Sequence, residues 1–179
     1  ALEISKETSV YQGLLLTTYM AEGGGRVEVF SHAEVSSEKV ELDPSTFDLS
    51  KNVMVPPNSL LADKAMINER FPKVYEVLKN KKLDKIFGNE ESKVGFLSSG
   101  SIFETLKQVL EENEYLELYS LYKVGAPYPL IDELLLPFLQ KLKTLIIVEE
   151  KRGFLEQEVI ELCKSCLLYT SDAADEVQC

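Results

Sequence analysis

Two stretches of the sequence carry residues whose types and spacing could do chemistry. Ser98-Ser99-Gly100 lies between an apolar run and a helical pattern, so its amides and hydroxyls could hold an anion at the helix start. It lacks the lysine of a P-loop and the three-glycine spacing of a dinucleotide site, which favours helix capping instead. Glu149 and Glu150 could act as a general acid and a general base. Because adjacent strand residues point to opposite sides, we expect a polar rim or a domain contact there rather than a facing pair.

Other chemically suggestive residues favour structural interpretations. Gly23-Gly24-Gly25 precedes no helical pattern, so it predicts a hairpin turn rather than a phosphate loop. His32 is the one histidine and has no visible nucleophile or metal-ligand companion, which is typical of a solvated loop. Cys163 falls on the apolar side of a predicted helix, as a small core residue does. The sequence therefore assigns no catalytic residue, no cofactor-binding residue and no metal ligand to this chain.

The composition is that of an acidic globular chain. It has 179 residues, 45% of them hydrophobic, with 30 Asp and Glu against 19 Lys and Arg. An acidic balance speaks against nucleic acid or an anionic membrane as a partner. No apolar run reaches membrane-spanning length, and the first residues form no signal peptide. We therefore expect a cytoplasmic protein with no nucleic-acid or membrane partner.

Both ends of the sequence suggest a piece of a longer protein. Ala1 is not an initiating methionine. Cys166 to Glu176 resembles a translated transposase adapter of a sequencing library, and Val177 to Cys179 fits a translated index behind it. We therefore expect residues 166–179 to be a non-native tail. Without Cys166, the spacing that resembles a redox or zinc pair with Cys163 disappears.

The organising pattern is a series of three strand-and-helix units in the second half of the chain. Val94 to Leu97 predicts the first strand, and the apolar residues after it repeat at helical spacing. Leu116 to Val124 predicts the second, followed by a turn and a helix that Pro137 should kink. Thr144 to Glu150 predicts a strand buried on both faces, because four adjacent apolar residues leave no polar alternate. Such units predict a parallel sheet between two layers of helices.

The first half of the chain follows other patterns. Val10 to Phe30 predicts a strand, a turn and a second strand. Residues 31–60 are rich in Ser, Glu, Asp and Pro and predict a connector. Residues 61–79 repeat at helical spacing, with Pro72 separating two short helices. Residues 80–93 are polar and basic, which is typical of a solvated surface.

The predicted fold class is therefore α/β. We expect a three-layer sandwich with a mainly parallel sheet, preceded by a β-hairpin and an irregular connector. The predicted organisation places the hairpin in residues 1–30, the connector in 31–60, the sandwich domain in 61–165 and the non-native tail in 166–179.

A series of motifs along the chain resembles one enzyme family. The series is Ser5, Gly13-Leu14-Leu15-Leu16-Thr17-Thr18, Val53-Met54-Val55-Pro56, Gly95-Phe96-Leu97-Ser98-Ser99-Gly100, Lys123-Val124-Gly125-Ala126-Pro127-Tyr128-Pro129-Leu130, Ile147-Val148-Glu149-Glu150 and Glu156-Gln157-Glu158-Val159. It resembles the large subunit of indolepyruvate ferredoxin oxidoreductase, one of the thiamine-diphosphate-dependent 2-oxoacid:ferredoxin oxidoreductases. The likeness spans nearly all of residues 1–165 and is strongest from Gly95 to Val159.

The resemblance implies a role for each part of the chain. Residues 1–30 would end the domain that binds the pyrimidine end of thiamine diphosphate, and residues 61–165 would form a middle domain similar to the carboxyl-terminal domain of transketolases. The diphosphate- and magnesium-binding domain, the iron–sulfur cysteines and the pyrimidine-activating glutamate would lie outside residues 1–165. This chain would then bind no thiamine diphosphate, magnesium or iron–sulfur cluster and would catalyse nothing by itself.

The resemblance also implies the activity of the whole protein and its partners. The whole protein would oxidatively decarboxylate an aryl 2-oxoacid such as indolepyruvate to an acyl-CoA, with ferredoxin as the electron acceptor. The partners would be the remainder of the same subunit, a small (beta) subunit and ferredoxin. Thr17 and Thr18 would lie near the substrate end. The family tends to have arginines beside this pair and a Ser-His pair after it, where this chain has Leu15 and Tyr19-Met20-Ala21, so a different 2-oxoacid or a divergent paralogue stays open.

Two other functions are compatible with the sequence. The first is a piece of another thiamine enzyme, of the transketolase or 2-oxoacid dehydrogenase type, which ferredoxin-type cysteines downstream would distinguish. The second is a non-enzymatic α/β module that binds a partner or a small regulator, which requires residues 61–165 to fold independently.

Overall fold

The structure is a computed structural model that describes residues 1–26, Glu28 and residues 53–167. The chain divides into two compact units, Ala1–Val74 and Tyr75–Cys179. The described helical elements of the first unit are α1 (Leu2–Thr8), α2 (Thr18–Glu22), α3 (Asn58–Ala65) and a π-helical segment, Met66–Arg70. Helix α4 (Phe71–Lys81) contains the boundary between the units. None of the helices in the described residues is long and apolar enough to cross a bilayer.

The predicted first strand of the β-hairpin is wrong. Residues 10–17 form no strand, and α2 begins at Thr18, held by a hydrogen bond from the Ala21 amide to the Thr17 carbonyl. Leu14 and Leu15 are 74% and 90% exposed. A short apolar run becomes a strand only when a neighbouring strand takes up its backbone groups, and none of the described residues does so here. The second predicted strand, with Val27, Val29 and Phe30, lies largely outside the described residues.

The predicted break at Pro72 is also wrong, because the chain stays helical from Asn58 to Lys81. Pro72 has no N–H to donate to the carbonyl of Asn68, four residues earlier. The π-helical segment Met66–Arg70 lies directly before Pro72. A wider turn of this kind changes the hydrogen-bond spacing without ending the helix.

The second unit contains a four-stranded sheet with helices between the strands. Its elements are β1 (Lys85–Gly88), β2 (Val94–Ser99), α5 (Gly100–Glu112), a 3₁₀ turn (Tyr115–Glu117), β3 (Ser120–Val124), α6 (Asp132–Leu139), β4 (Thr144–Ile147) and α7 (Phe154–Leu167). The strand order is β1-β3-β2-β4. β2 pairs in parallel with both β3 and β4, whereas β1 pairs antiparallel with β3. The predicted mainly parallel sheet is confirmed.

Two core clusters lie on opposite faces of this sheet. On one face, Leu97 and Tyr122 pack with Phe138 of α6 and with Leu155 of α7. On the other face, Leu121 packs with residues of α5, among them Phe103. Since strand neighbours alternate between faces, α5 forms one outer layer and α6 and α7 form the other. The predicted α/β sandwich of three layers is confirmed.

The third predicted strand is shorter and less buried than its sequence indicates. It spans Thr144–Ile147 and lies at the end of the strand order, with Ile146 40% exposed. The expectation of burial on both faces is wrong because the connection after β3 passes β2 and places β4 at an edge. An apolar run predicts a strand, but its place in the sheet depends on the crossovers.

Two further segments differ from the prediction. The second strand begins at Ser120, and Leu118, expected within it, is 57% exposed after the 3₁₀ turn. Residues 80–93 are not only a solvated surface, because they contain β1, whose Phe87 packs against the α5 cluster. The apolar residues of β1 form only a short alternating pattern among lysines, and such a pattern does not predict a strand. Most of the predicted connector, His32 and residues 168–179 lie outside the described residues, although the backbone of α7 continues through Cys166 and Leu167.

Candidate functional site at the carboxyl ends of the parallel strands

The carboxyl ends of β2, β3 and β4 lie at the same edge of the sheet, where ligands bind in open α/β folds. The connection after β2 passes to one face and the connections after β3 and β4 pass to the other. The helix after β2 therefore lies on the opposite face from the helices after β3 and β4, so the connections change face on each side of β2. This edge presents Ser98-Ser99-Gly100, the turn 125–129 and Glu149.

Ser98 is fully buried and its hydroxyl is engaged within the sheet. The Ser98 Oγ donates to the carbonyl of Val148 at 2.8 Å, and the Val148 amide donates to the carbonyl of Leu97 at 2.9 Å. These two bonds extend the pairing of β2 with β4 by one residue beyond Ile147. The Ser98 hydroxyl therefore stabilises the strand ends, and an anion that used this hydroxyl as a donor would have to displace its bond to Val148.

Ser99 and Gly100 form the junction between β2 and α5. Ser99 has extended dihedrals at the N-cap position, but its side chain makes no capping hydrogen bond. Ser99 thus occupies the N-cap position that the sequence favours, but its side chain does not supply the capping bond. Gly100 has a φ of 61°, and a Cβ added there would meet nothing within 4 Å. Glycine is thus required by backbone conformation rather than by space.

Glu149 binds the amino terminus of α7. One of its carboxylate oxygens accepts the amides of Phe154 and Leu155, at 3.1 and 2.8 Å, and the other accepts the amide of Glu156 at 3.2 Å. A carboxylate in this position satisfies unpaired helix amides and interacts favourably with the helix dipole. Glu150 is exposed, so the two glutamates do not face each other across a site. Sequence reasoning missed this role because the capping residue lies five residues before the helix.

Replacing Glu149 by alanine should lower the free energy of unfolding by about 1 to 2 kcal/mol, because the amides of Leu155 and Glu156 lose their acceptor, whereas that of Phe154 keeps the Arg152 carbonyl. Glu149→Gln should have a smaller effect, since one amide oxygen can still accept. Urea unfolding followed by circular dichroism measures both, and Glu150→Ala is the matched control on an exposed neighbour. Equal stabilities for the Glu149→Ala and Glu150→Ala variants would contradict the assigned role.

Asp84 was not predicted to be important, yet it anchors the turn after β3. Its two carboxylate oxygens accept the Tyr122 hydroxyl and the Gly125 amide, each at 2.8 Å. Burial raises the pKa of Tyr122 well above the usual range, and the neighbouring charge of Asp84 raises this pKa further. A single aspartate in a basic stretch carries no sequence signal of such a contact.

The raised pKa of Tyr122 predicts a loss of stability in alkaline solution. Above about pH 10 the phenol ionises in the unfolded chain but not in the folded one. The unfolded state then binds fewer protons, so the group lowers stability by about 1.4 kcal/mol for each further pH unit. Tyr122→Phe should be less stable near pH 8 and should lose less stability between pH 9 and 11. Parallel pH profiles of the urea midpoint for the two proteins would contradict this prediction.

A cavity of about 500 Å³ lies beside the turn after β3. Its lining includes Tyr75, Tyr128, Asp132, Glu133 and Glu158. Burial raises the pKa of Tyr75, and the charges of Tyr128, Asp132 and Glu158 raise it further. Lys79 forms an ion pair with Glu133. The cavity is acidic, but its described lining offers no nucleophile with an adjacent base.

The described residues do not assemble a complete catalytic site. Among them no group of three His, Cys, Asp or Glu side chains could hold a metal ion. Thr17 and Thr18 belong to the other compact unit, where Thr18 is exposed at the start of α2. Cys163 is partly buried and packs against the core, as predicted. At the carboxyl edge, Ser98 and Glu149 thus each make structural hydrogen bonds. Glu149 also lines a cavity of about 320 Å³, but both of its carboxylate oxygens accept amides of α7.

Comparisons with known proteins match this chain to one group of oxidoreductases. Residues 84–165 match the family described as "Indolepyruvate oxidoreductase domain". The chain is 29% identical over 170 residues to "Indolepyruvate oxidoreductase subunit IorA" of Methanothermobacter thermautotrophicus, covering 94% of this chain and 26% of the relative. It is 28% identical over 160 residues to the subunit of the same name from Thermococcus kodakarensis, covering 89% and 24%. The chain therefore spans about a quarter of the length of these relatives.

A solved structure is similar to part of the chain. It is the 2-oxoglutarate:ferredoxin oxidoreductase from Magnetococcus marinus with 2-oxoglutarate, coenzyme A and succinyl-CoA bound. The similarity has a TM-score of 0.49 and 22% identity, and it covers 60% of this chain and 18% of that one.

The matches agree on one class of protein. The family model, which covers residues 84–165 and so just under half of the chain, and both relatives are described as indolepyruvate oxidoreductases. The resemblance predicted from the motif series is confirmed by these matches.

Proposed function

We propose that this chain is a non-catalytic part of a larger oxidoreductase subunit that decarboxylates aryl 2-oxoacids. The complete enzyme would convert a substrate such as indolepyruvate to its acyl-CoA and pass the electrons to ferredoxin. The observation that carries the proposal is the match of residues 84–165 to the indolepyruvate oxidoreductase domain. The names of the two archaeal relatives support the same substrate.

The polar groups at the carboxyl edge support a structural part for this chain. The Ser98 hydroxyl joins two strand ends and the Glu149 carboxylate holds the start of α7. Both groups are thus engaged by the backbone of the chain itself. Ser98 has no open side toward a substrate, and the Glu149 carboxylate, although it lines a cavity, is already bonded to helix amides through both oxygens.

The cofactors that the family implies do not fit the described residues. Thiamine diphosphate needs a magnesium site, and iron–sulfur clusters need cysteine thiolates. The described part of the chain offers no cluster of carboxylates for the first, and its one described cysteine side chain, Cys163, packs against the core. We therefore assign thiamine diphosphate, magnesium and the clusters to the remainder of the enzyme.

We propose the same domain organisation that the motif series implies. Residues 1–30 would end the pyrimidine-binding domain, residues 61–165 would form the middle domain, and residues 166–179 would be foreign to the protein. The partners would be the remainder of the subunit, a small subunit and ferredoxin, in the cytoplasm. The relatives' greater length supports this organisation, since the chain covers about a quarter of each.

The test begins with the source DNA on both sides of the sequence. The complete large subunit would be produced with its small subunit and assayed for reduction of ferredoxin that depends on indolepyruvate and on coenzyme A. We expect turnover by the complete enzyme and none by the 179-residue chain. Ketol transfer without ferredoxin reduction would indicate a transketolase-type enzyme instead. Turnover by the 179-residue chain alone would contradict the non-catalytic role.

A further inference from the structure

The cavity of about 500 Å³ beside the turn after β3 has exposed aromatic walls. Tyr75 of α4 and Tyr128 of the turn line it, and these residues are 39% and 59% exposed. Next to them, Phe154 of α7 is 46% exposed and contacts the Tyr128 ring at 6.5 Å between centroids. Pro129 and Leu130 are buried and add apolar surface to the lining. Exposed aromatic side chains gathered at one place mark protein contact sites, where tyrosine and phenylalanine are enriched.

The lining of this aromatic cavity carries more negative than positive charge. Its carboxylates are those of Asp132, Glu133, Glu158 and Glu161. Lys79 pairs with Glu133, and Lys164 lies 3.5 Å from Glu161. Lys79 also lies near Asp132, but neither Asp132 nor Glu158 forms an ion pair within the part of the chain that the structure describes. Both carboxylates are close enough to the Tyr75 phenol to raise its pKa.

An arginine side chain matches both parts of this lining. Its planar guanidinium stacks on the face of an aromatic ring, and its N–H groups donate to carboxylates in a fixed fork. A metal ion does not match, since no three His, Cys, Asp or Glu side chains among the described residues could hold one. The negative charge of the lining disfavours a nucleic acid or an anionic lipid head group. The ligand that fits is therefore an organic cation.

The mixture of rings and charges indicates a partner that folds separately. Interfaces that are buried permanently resemble a domain core, whereas those between separate proteins surround aromatic centres with a polar rim. Here the exposed carboxylates of Asp132 and Glu133 lie beside the rings. A rim of one charge also accelerates the encounter with a partner of the opposite charge.

We propose that the aromatic cavity, lined by Tyr75, Tyr128, Asp132 and Glu158, docks an arginine side chain of the small subunit. This inference rests on the proposed function, which supplies that subunit as a partner. The guanidinium stacks on the tyrosine rings and donates to the two carboxylates. Phe154, beside Tyr128, packs against the apolar surface around the arginine.

The first measurement tests the chemistry of the cavity with the 179-residue chain and two probes. N-acetylarginine amide has the cation, and N-acetylcitrulline amide has nearly the same shape without the charge. Both are titrated by NMR, following the ring signals of Tyr75 and Tyr128. The arginine probe should bind about tenfold more tightly, since a cation–π contact and a surface ion pair together are worth roughly that factor. The paired substitutions Asp132→Asn and Glu158→Gln should abolish the preference, and Glu90→Gln, in the turn between β1 and β2, is the matched control.

The second measurement tests the source of the arginine. Association of the complete large subunit with the small subunit is measured by analytical ultracentrifugation. The paired Asp132→Asn and Glu158→Gln substitutions should weaken it at least about tenfold at low salt. The difference should shrink at 1 M salt, where charges are screened beyond about 3 Å. Glu90→Gln should leave the association unchanged at both salt concentrations.

Two outcomes would overturn the inference. The first is equal binding of the two probes, or a preference for arginine that survives the paired substitutions. The second is unchanged association of the subunits in the paired variant, which would identify the remainder of the large subunit as the occupant. Reduction of ferredoxin by the unaltered enzyme is an independent readout. Docking that needs the two carboxylates in an enzyme that rejects 2-oxoacids overturns the proposed function alone, and an active enzyme whose association ignores them overturns the docking alone.

Discussion

Replacing Gly125 by alanine should lower the free energy of unfolding by about 3 kcal/mol, at the upper end of what overpacking costs. A Cβ at this position would lie 2.7 Å from both the carbonyl carbon and the carbonyl oxygen of Leu83, and closer still to its Cβ. These are backbone and near-backbone atoms, so no side-chain rotation relieves the contact. The Gly125 amide also donates to Asp84 at 2.8 Å. Moving the turn away from Leu83 would therefore weaken that bond too.

Two glycines provide controls for this substitution. Gly13→Ala should leave stability within about 0.5 kcal/mol of the original chain, since an added Cβ meets nothing within 4 Å. Gly100→Ala also has open space, but its φ of 61° should cost about 1 kcal/mol in backbone strain. Urea unfolding followed by circular dichroism ranks the three variants. A Gly125→Ala variant as stable as Gly13→Ala would mean that Leu83 and Gly125 do not approach each other as described.

The order of strands and helices was predictable because the local sequence patterns agree with the topology of the sheet in the second half of the chain. Helical and strand periodicities from Val94 onward locate β2, α5 and α6, and short connections imply parallel pairing. Edge positions were not predictable, since the apolar run of β4 reads as a central strand. β1 was missed for the opposite reason, because its lysine-rich surroundings hide a strand that only pairing with β3 stabilises.

In the candidate site, the positions of the polar residues were predictable but their hydrogen-bond partners were not. Sequence order was sufficient to predict that Ser98 and Glu149 would reach one edge, because both follow strands of a parallel sheet. Their partners were not predictable, since a hydroxyl and a carboxylate bind whichever backbone groups the packing leaves unpaired. In Leu14 to Thr18 the local pattern predicted a strand and the structure contains a helix from Thr18. Ser98 and Glu149, two polar residues that follow strands, thus belong to the scaffold of this chain.

Replacing Asp84 by alanine should lower the free energy of unfolding by about 2 to 3 kcal/mol, because a buried hydroxyl and an amide lose their acceptor. Tyr122 is only 2% exposed, so water could replace the lost acceptor only through the space that the Asp84 side chain leaves. The Gly125 amide lies in an exposed turn and contributes less. The main cost is therefore the unsatisfied phenol inside the core cluster of Leu97 and Phe138.

A double-mutant cycle separates this cost from a general loss of charge. In the Tyr122→Phe background the Asp84→Ala substitution should cost about 1 kcal/mol or less, because no buried hydroxyl remains to be satisfied. Asp63→Ala, on the exposed surface of α3, controls for removal of a carboxylate. Equal costs of Asp84→Ala in the two backgrounds would show that Asp84 acts through the turn alone. Through its bonds to the Tyr122 hydroxyl of β3 and to the Gly125 amide, Asp84 holds the turn at the carboxyl edge against β3.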